Sequence, residues 1–383
     1  FYAAWLLVLA GLAGIVVSAD AFNIFVFMEI SSLASYVLIA GGPDRRALPS
    51  VFKYLIMGTI GATFYLIGIG LIYMMTGTLN LTDMEARIGQ VSDINPILVA
   101  AGFITIGLAL KAAVFPLHVW LPNAYTHAPH MVTVFLAACA TKVSIYVLIS
   151  FDFFVFQGNL PAHRLQFSLF LLPLALLGIL VASAVAMFEG HIKRLLATSS
   201  VAQIGYIMLG ASFASQAGLV ASAAHLFNHA LAKGGLFLAV AGLAYHYRDL
   251  RLDQLAGAAR HMPLTAAALV ICGFSLIGVP GTAGFISKWL LIDAALDQGA
   301  MAWVLVPAIL VSSLMALVYV WRIVETLYLK PAVVQPEGAG EAPLQLLLAT
   351  WAAALANLVF GLFPQFPLTL SSGAAELLLR QIQ

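Results

Sequence analysis

The chain has 383 residues, 62% of them hydrophobic and 9% charged, with a formal net charge of +1 and a mean hydropathy of +1.02. That balance excludes a soluble globular protein, and it offers no basic footprint for a nucleic-acid partner. Cys139 and Cys272 both fall inside apolar runs, so neither a disulfide framework nor a metal-ligand cluster is indicated.

At roughly 20 residues per membrane crossing, the apolar runs divide into about eleven spans. In chain order they are placed near Tyr2–Val17, Ala21–Ala40, Pro49–Thr76, Pro96–Phe115, Ala128–Phe151, Phe167–Phe188, Leu195–Phe213, Ala217–Tyr245, Pro263–Leu296, Trp303–Tyr328 and Pro343–Pro364. The fold class is therefore an all-α polytopic membrane protein, with loops too short to hold a soluble domain. The chain opens on Phe1, without an initiator Met or a signal-peptide pattern, which suggests that an N-terminal part precedes it. Thr82-Asp83-Met84-Glu85 has capping-box spacing and predicts a short surface helix. Gly58, Gly61, Gly68 and Gly70 share one apolar span and lack the strand-turn-helix setting of a dinucleotide site. They predict close helix packing. The segment Gly338–Pro343 reads as a loop, and the stretch after Pro364 as a short tail.

Alternating the spans puts ten of the 17 Lys and Arg residues on one side: Arg45, Arg46, Lys53, Lys193, Arg194, Arg248, Arg251, Arg260, Arg322 and Lys330. Only Arg87, Arg164 and Arg380 fall on the other, so the first side is read as cytoplasmic. The spans also repeat coarsely. The first five (residues 1–151) and the next five (residues 167–329) read as two units that enter the membrane from opposite faces, followed by a final helix and tail at 343–383. In both units the fourth span carries a Lys and is interrupted by Pro, at Lys111–Pro116 and at Gly278–Gly284 before Lys288. Paired broken spans point to a translocation site in inverted-repeat transporters.

The buried charges carry the functional signal. An ionisable residue at mid-membrane costs several kcal/mol and faces a bundle interior or a water-filled path. Glu29 is the one acid read as lying well inside a span, and Lys111 is its natural partner. Lys142 sits near the middle of the adjacent span. A buried amine that gains and loses a carboxylate partner works as a switchable proton store. His225, His229 and Lys233 recur every four residues and stack along one helix face as a relay, since neutral imidazole both donates and accepts. The two imidazoles could also ligate a metal, but no acid is spaced to join them. Lys288 follows the second break. Lys53, close to Arg45 and Arg46, is as readily a snorkelling residue as a functional one. His118, His127 and His130 flank the first break as access-path groups, and Ser199, Ser200 and Gln203 are placed to hold waters. The expectation is one polar axis running from Glu29 through Lys111 and Lys142 to His225, His229, Lys233 and Lys288.

Several local words carry a family resemblance. They are Phe25-Val-Phe-Met-Glu29-Ile, Lys111-Ala-Ala-Val-Phe-Pro-Leu-His-Val-Trp-Leu-Pro122, His191-Ile-Lys-Arg-Leu-Leu-Ala-Thr-Ser-Ser-Val-Ala-Gln-Ile-Gly-Tyr206, His225-Leu-Phe-Asn-His-Ala-Leu-Ala-Lys233 and Gly284-Phe-Ile-Ser-Lys288. Together they resemble the antiporter-like subunits shared by respiratory complex I and Mrp-type cation/proton antiporters, over nearly the whole chain. The resemblance implies a fourteen-helix fold with two inverted five-helix repeats, of which this chain matches the fourth helix onwards. It makes Glu29 and Lys111 similar to the family's charge pair and Lys142 to its bridging lysine. It likens the His225–Lys233 face to the central relay, and Lys288 to the terminal lysine. Glu29-Ile-Ser-Ser-Leu-Ala-Ser-Tyr36 with Phe52-Lys53-Tyr54 looks most like the D-type component of Mrp antiporters; a subunit of complex I or of a membrane-bound hydrogenase is the alternative. A multi-pass protein of the bacterial cytoplasmic membrane is implied, moving protons and coupled to Na+ or another monovalent cation, with other hydrophobic subunits and the bilayer as partners. No haem, flavin, iron–sulfur or nicotinamide motif is present, so no cofactor is expected and any redox chemistry belongs to partners.

Overall fold

In the computed structural model, which describes residues 1–156, 161–333, 338 and 340–379, the regular elements are helices, accompanied by two isolated bridges. The helices are α1 (Tyr2–Val17), α2 (Ala21–Ala40), α3 (Ala47–Thr76), α4 (Leu81–Ile88), α5 (Asn95–Lys111), α6 (Trp120–His127), α7 (His130–Phe156) and α8 (Pro161–Phe188). They continue with α9 (Ile192–Ser212), α10 (Gln216–Leu243), α11 (Pro263–Ile277), α12 (Ala283–Leu296), α13 (Gly299–Leu329), α14 (Leu344–Leu362) and α15 (Gln365–Leu379). Eight of these are long and apolar enough to cross a membrane, and α1 and α5 are shorter apolar helices; the turns over Leu252–Arg260 together with α11 make a further, bent pair at 114°.

The polarity of the bundle is that of a protein in lipid. Leu6, Leu7, Val17, Trp303 and Leu314 point outward, while Lys111, Lys142, His225, His229, Lys233 and Lys288 are buried. Helix ends follow local chemistry. Asp20 caps α2 by accepting from Asn23 N at 2.8 Å, Ser215 caps α10 through Gly218 N at 3.1 Å, and Pro96 and Pro263 open α5 and α11. The short helix α4 does form, but its cap is Asn80, whose Oδ1 accepts from both Thr82 N and Asp83 N; the capping-box reading placed the cap two residues late. The reason is the bridge between Asp20 and Asn80, which fixes Asn80 extended at the loop end. Arg87 donates to Asp83 at 2.9 Å and holds that carboxyl below the usual carboxylate range. Replacing Asn80 by Ala should cost about 1 kcal/mol, read as a small drop in thermal stability in detergent with proton movement unchanged.

The chain divides into two compact units: Phe1–Pro129 with Cys139–Pro173 and Ala375–Gln383, and His130–Ala138 with Leu174–Ala374. In the first, α3 and α5 touch backbone to backbone. A Cβ at Gly61 would lie 2.8 Å from Gly107 O, and one at Gly68 would lie 2.8 Å from Ala100 O. Gly70 faces outward with nothing within 4 Å, so it takes no part in the packing expected of it. In the second unit α9 is enclosed on all sides, its 18-residue span window being 100% buried. A helix so enclosed can carry Ser199, Gln203 and Tyr206 without exposing them to lipid.

Four further expectations are corrected. The segment after Pro364 is a 15-residue helix, α15, and not merely a tail. Lys193, assigned to a cytoplasmic loop, is only 2% exposed, because α9 begins at Ile192 and carries it inside. Glu29 is not the one acid inside a span: π-helical turns extend α7 to Phe156, and this buries Asp152, whose Oδ1 accepts from Thr105 Oγ1 at 3.3 Å, while Glu29 is only half-buried. The fourth span stops at Lys111 and not at Phe115. Arg380 and the side chain of Arg164, both used in the charge count, lie outside the described residues, as does part of the 330–341 stretch.

Candidate functional site

In the first unit α5 ends at Lys111, the chain turns through Ala113 (φ +57°), and α6 starts only at Trp120. Trp120 Nε1 donates to Leu110 O at 3.0 Å, which satisfies one carbonyl freed by the break and holds the turn against the helix end. Lys111 therefore sits at a helix C-terminus, where a cation is favoured. Its Nζ lies 2.9 Å from Glu29 Oε1 and 2.8 Å from Ser32 Oγ; the two side chains of the pair are 3% and 26% exposed. Glu29 and Ser32 are three apart on α2 and so share the face turned to α5. Beside the pair lies a cavity lined by Ser31, Ser32, Ser35, Thr141, Ser144 and Tyr54, among others. Lys142, next to Thr141, is 5% exposed.

The second unit is built around the other break. Helix α11 ends at Ile277 and is capped by Gly278 (φ +91°), Gly281 follows at φ +87°, and α12 begins at Ala283. The interruption leaves carbonyls without helical partners, and Lys288 Nζ donates to two of them, Leu276 O at 3.1 Å and Ile277 O at 2.8 Å. It also donates to Ser313 Oγ at 3.1 Å and lies 4.8 Å from the centre of the Tyr206 ring. The two breaks thus hold their lysines differently, one by a carboxylate and one by backbone.

Next to Lys288 in the chain, Ser287 opens the first of two hydrogen-bonded groups that lie along α9 and α10. Ser287 Oγ contacts His225 Nδ1 at 2.9 Å, and His225 Nε2 contacts Gln203 Oε1 at 3.0 Å. One turn back along α9, Ser199 Oγ takes a bond from Lys233 Nζ at 2.5 Å, and Leu196 O takes another at 2.7 Å. The His229 ring lies parallel to that of His225, 6.4 Å away. Asn228 donates to Ala283 O at 2.7 Å and so fastens α10 to the first turn of α12. Apart from the short Lys233–Ser199 contact, the hydrogen bonds of these groups are of ordinary length, and the row can reorganise to pass a proton when its tautomers and rotamers change.

The structure brings together Glu29 with Lys111 in one unit, and His225, His229, Lys233 and Lys288 in the other. It does not bring Lys53 in: that side chain is exposed on α3. His118 and His130 are half-buried, and His127 Nδ1 lies 3.6 Å from Asp44 Oδ2 at the end of the first break. Four participants escaped the sequence reading: Ser32, Ser287, Ser313 and Tyr206. The first two were signalled by their spacing, three residues after Glu29 and one before Lys288. Ser313 lies on a helix with no other mark, and only the fold reveals it.

A family model described as "NADH:quinone oxidoreductase/Mrp antiporter, TM" matches residues 18–316. The chain belongs to this family. Among its relatives, the NADH-quinone oxidoreductase subunit N of Desulforudis audaxviator is 44% identical over 345 residues, covering 90% of this chain and 68% of that protein. The D-type component of the Na(+)/H(+) antiporter of Alkalihalophilus pseudofirmus is 30% identical over 296 residues, covering 77% of this chain and 59% of that protein. A chain in the Mrp complex from Dietzia superposes with a TM-score of 0.86 at 29% identity, covering 98% of this chain and 77% of its own length. Membership in the antiporter-like family fits a helical, multi-pass fold that buries Lys111 and Lys288 beside two helix breaks and Lys142, His225, His229 and Lys233 within helices.

Proposed function

We propose that this chain is a proton-translocating membrane subunit of a larger complex in the bacterial cytoplasmic membrane, and that the complex is of the redox-driven quinone oxidoreductase kind. The observation that carries proton translocation is the ion pair of buried Lys111 with half-buried Glu29 at a helix break, at 2.9 Å. A lysine that shares its charge with a carboxylate changes its proton affinity when the two separate, because isolation in a low-dielectric site disfavours the charged form. Opening and closing the pair then releases and recaptures a proton. In the second unit Lys233 and Lys288 are the storage groups and His225 the exchanger between them.

The choice of complex rests on the 44% identity over 90% of the chain to an oxidoreductase subunit, against 30% over 77% for the antiporter component. The second reading, a subunit of a Na+/proton antiporter, is supported by the local words around Glu29 and Lys53 and by the overlay on the Mrp complex. The two are separated by purifying the complex through a tag on this chain and reconstituting it. Proton movement driven by quinone reduction and insensitive to a Na+ gradient is the expected result. Proton movement driven by a Na+ gradient with no electron donor would favour the antiporter.

Replacing His225 by Ala should slow proton movement by about a hundredfold or more, the loss of a positioned proton-transfer group. A Gln at the same position, which keeps hydrogen bonds but cannot take a proton, should be equally slow. Retained rates in the Gln variant would show that His225 only ties helices together.

A further inference from the structure

Lys111 keeps company beyond its carboxylate. Ser32 Oγ is as close to the ammonium as Glu29 is, 2.8 Å against 2.9 Å. One turn further along α2, Tyr36 is 6% exposed, and its hydroxyl has no hydrogen bond of ordinary geometry among the described residues. Its place is set by α3: a Cβ on Gly58 would overlap Tyr36 Oη and would lie 3.9 Å from Lys111 Nζ. Only a residue without a side chain leaves that hydroxyl its room beside the lysine. The ring is held edge-on to Tyr54 at 4.7 Å, and Tyr54 stacks on Trp120 at 4.0 Å, the residue that pins the break to Leu110. Ser32, Lys111, Tyr54 and Trp120 also line the cavity that runs on to Thr141 and Ser144.

A buried ammonium that left its carboxylate with nothing else to donate to would face the full desolvation penalty. We infer that Ser32 and Tyr36 are positioning residues for Lys111: the Ser32 hydroxyl, which lines the cavity, and the Tyr36 hydroxyl, which sits against Gly58, give the ammonium a second station, so that the Glu29 pair can open without leaving the lysine bare. Ser32 is bonded to Lys111 in the closed pair and stays bonded as the pair separates. Tyr36 becomes an acceptor only when the ammonium moves toward it. Gly58 is the packing condition for that second position.

This inference rests on the proton-translocating reading above, and one experiment separates the two. The intact complex carrying Ser32→Ala, Ser32→Thr, Tyr36→Phe or Lys111→Ala is assayed for proton uptake in inverted membrane vesicles, at matched levels of assembled complex. Tyr36→Phe removes one oxygen and keeps the edge-on ring contact with Tyr54, so packing is preserved. Ser32→Ala and Tyr36→Phe should each slow uptake by about tenfold, the effect of one hydrogen bond to a charged group. Ser32→Thr, which restores the hydroxyl, should return to within about twofold. If Lys111→Ala abolishes uptake while Ser32→Ala and Tyr36→Phe run at the wild-type rate, the second station is overturned and the charge pair stands. If Ser32→Thr is as slow as Ser32→Ala, shape and not the hydroxyl matters at that position, and Ser32 loses its assigned role. If Lys111→Ala itself runs at the wild-type rate, the reading of the pair fails and takes this inference with it.

Discussion

Lys111→Ala is expected to lower proton translocation by about a hundredfold or more while the complex still assembles. The pair it breaks is tight, 2.9 Å from Nζ to Oε1, with the lysine side chain 3% exposed. Removing one member of a buried pair costs about 3–5 kcal/mol, because the other charge is left uncompensated. Here the cost falls toward the low end, since the Glu29 side chain keeps 26% exposure and can draw on solvent. The fold therefore survives, but no amine remains at the break to hold and release a proton. About 3 kcal/mol on a barrier is about a hundredfold in rate. Glu29→Ala should produce a similar loss by the converse route, since Lys111 then has no carboxylate to leave. Proton uptake by membrane vesicles, with the complex quantified in the same membranes, checks both. Near-normal uptake in either variant at normal protein levels would contradict the charge-pair account.

Gly284→Ala should remove assembled, active protein almost completely. Gly284 is the second residue of α12, and its backbone N donates to Ser275 Oγ at 3.0 Å across the second break. A Cβ there would overlap the Ser275 carbonyl, which is rigid backbone and cannot rotate aside. The two half-helices would have to part, with a packing cost of about 3 kcal/mol. Separation also moves Lys288 away from Leu276 O and Ile277 O, so the break and its lysine are lost together. Gly70→Ala is the control, because that glycine faces outward with nothing within 4 Å. It should leave both assembly and proton movement at the wild-type level. Comparable yields of Gly284→Ala and Gly70→Ala would show that the break tolerates opening and does not position Lys288.

The sequence made the helices legible because a membrane leaves the backbone few options. Apolar runs of span length must be helical, and Pro116, Gly278, Pro280 and Gly281 mark where they stop. The charged members of the site were legible for a related reason: Glu29, Lys111, Lys142, Lys233 and Lys288 stand in runs that are otherwise apolar. The hydroxyl partners were not. A serine costs little in a membrane helix, so Ser313 carries no mark until the fold sets it against Lys288, and Ser32 and Ser287 show only their spacing to Glu29 and Lys288 until the fold sets them against Lys111 and His225. Lys193 and Asp152 were misread because burial near a span end depends on where the helix begins or on a π turn, and neither follows from composition. Lys53, which the sequence leaves open between snorkelling and function, is a charge inside an apolar run that packing leaves exposed.

The central claim is that the buried lysines of this chain carry protons, and Lys233→Ala tests it most directly. Lys233 is fully buried, bonded to Ser199 Oγ and Leu196 O, and lies on the same helix face as His225 and His229. The purified complex is reconstituted into proteoliposomes, and protons moved per driving turnover are measured for wild type and Lys233→Ala at equal assembly. The account predicts a loss of proton movement of at least about tenfold, the effect of one charged hydrogen-bonding group. An unchanged number of protons per turnover in Lys233→Ala would contradict it.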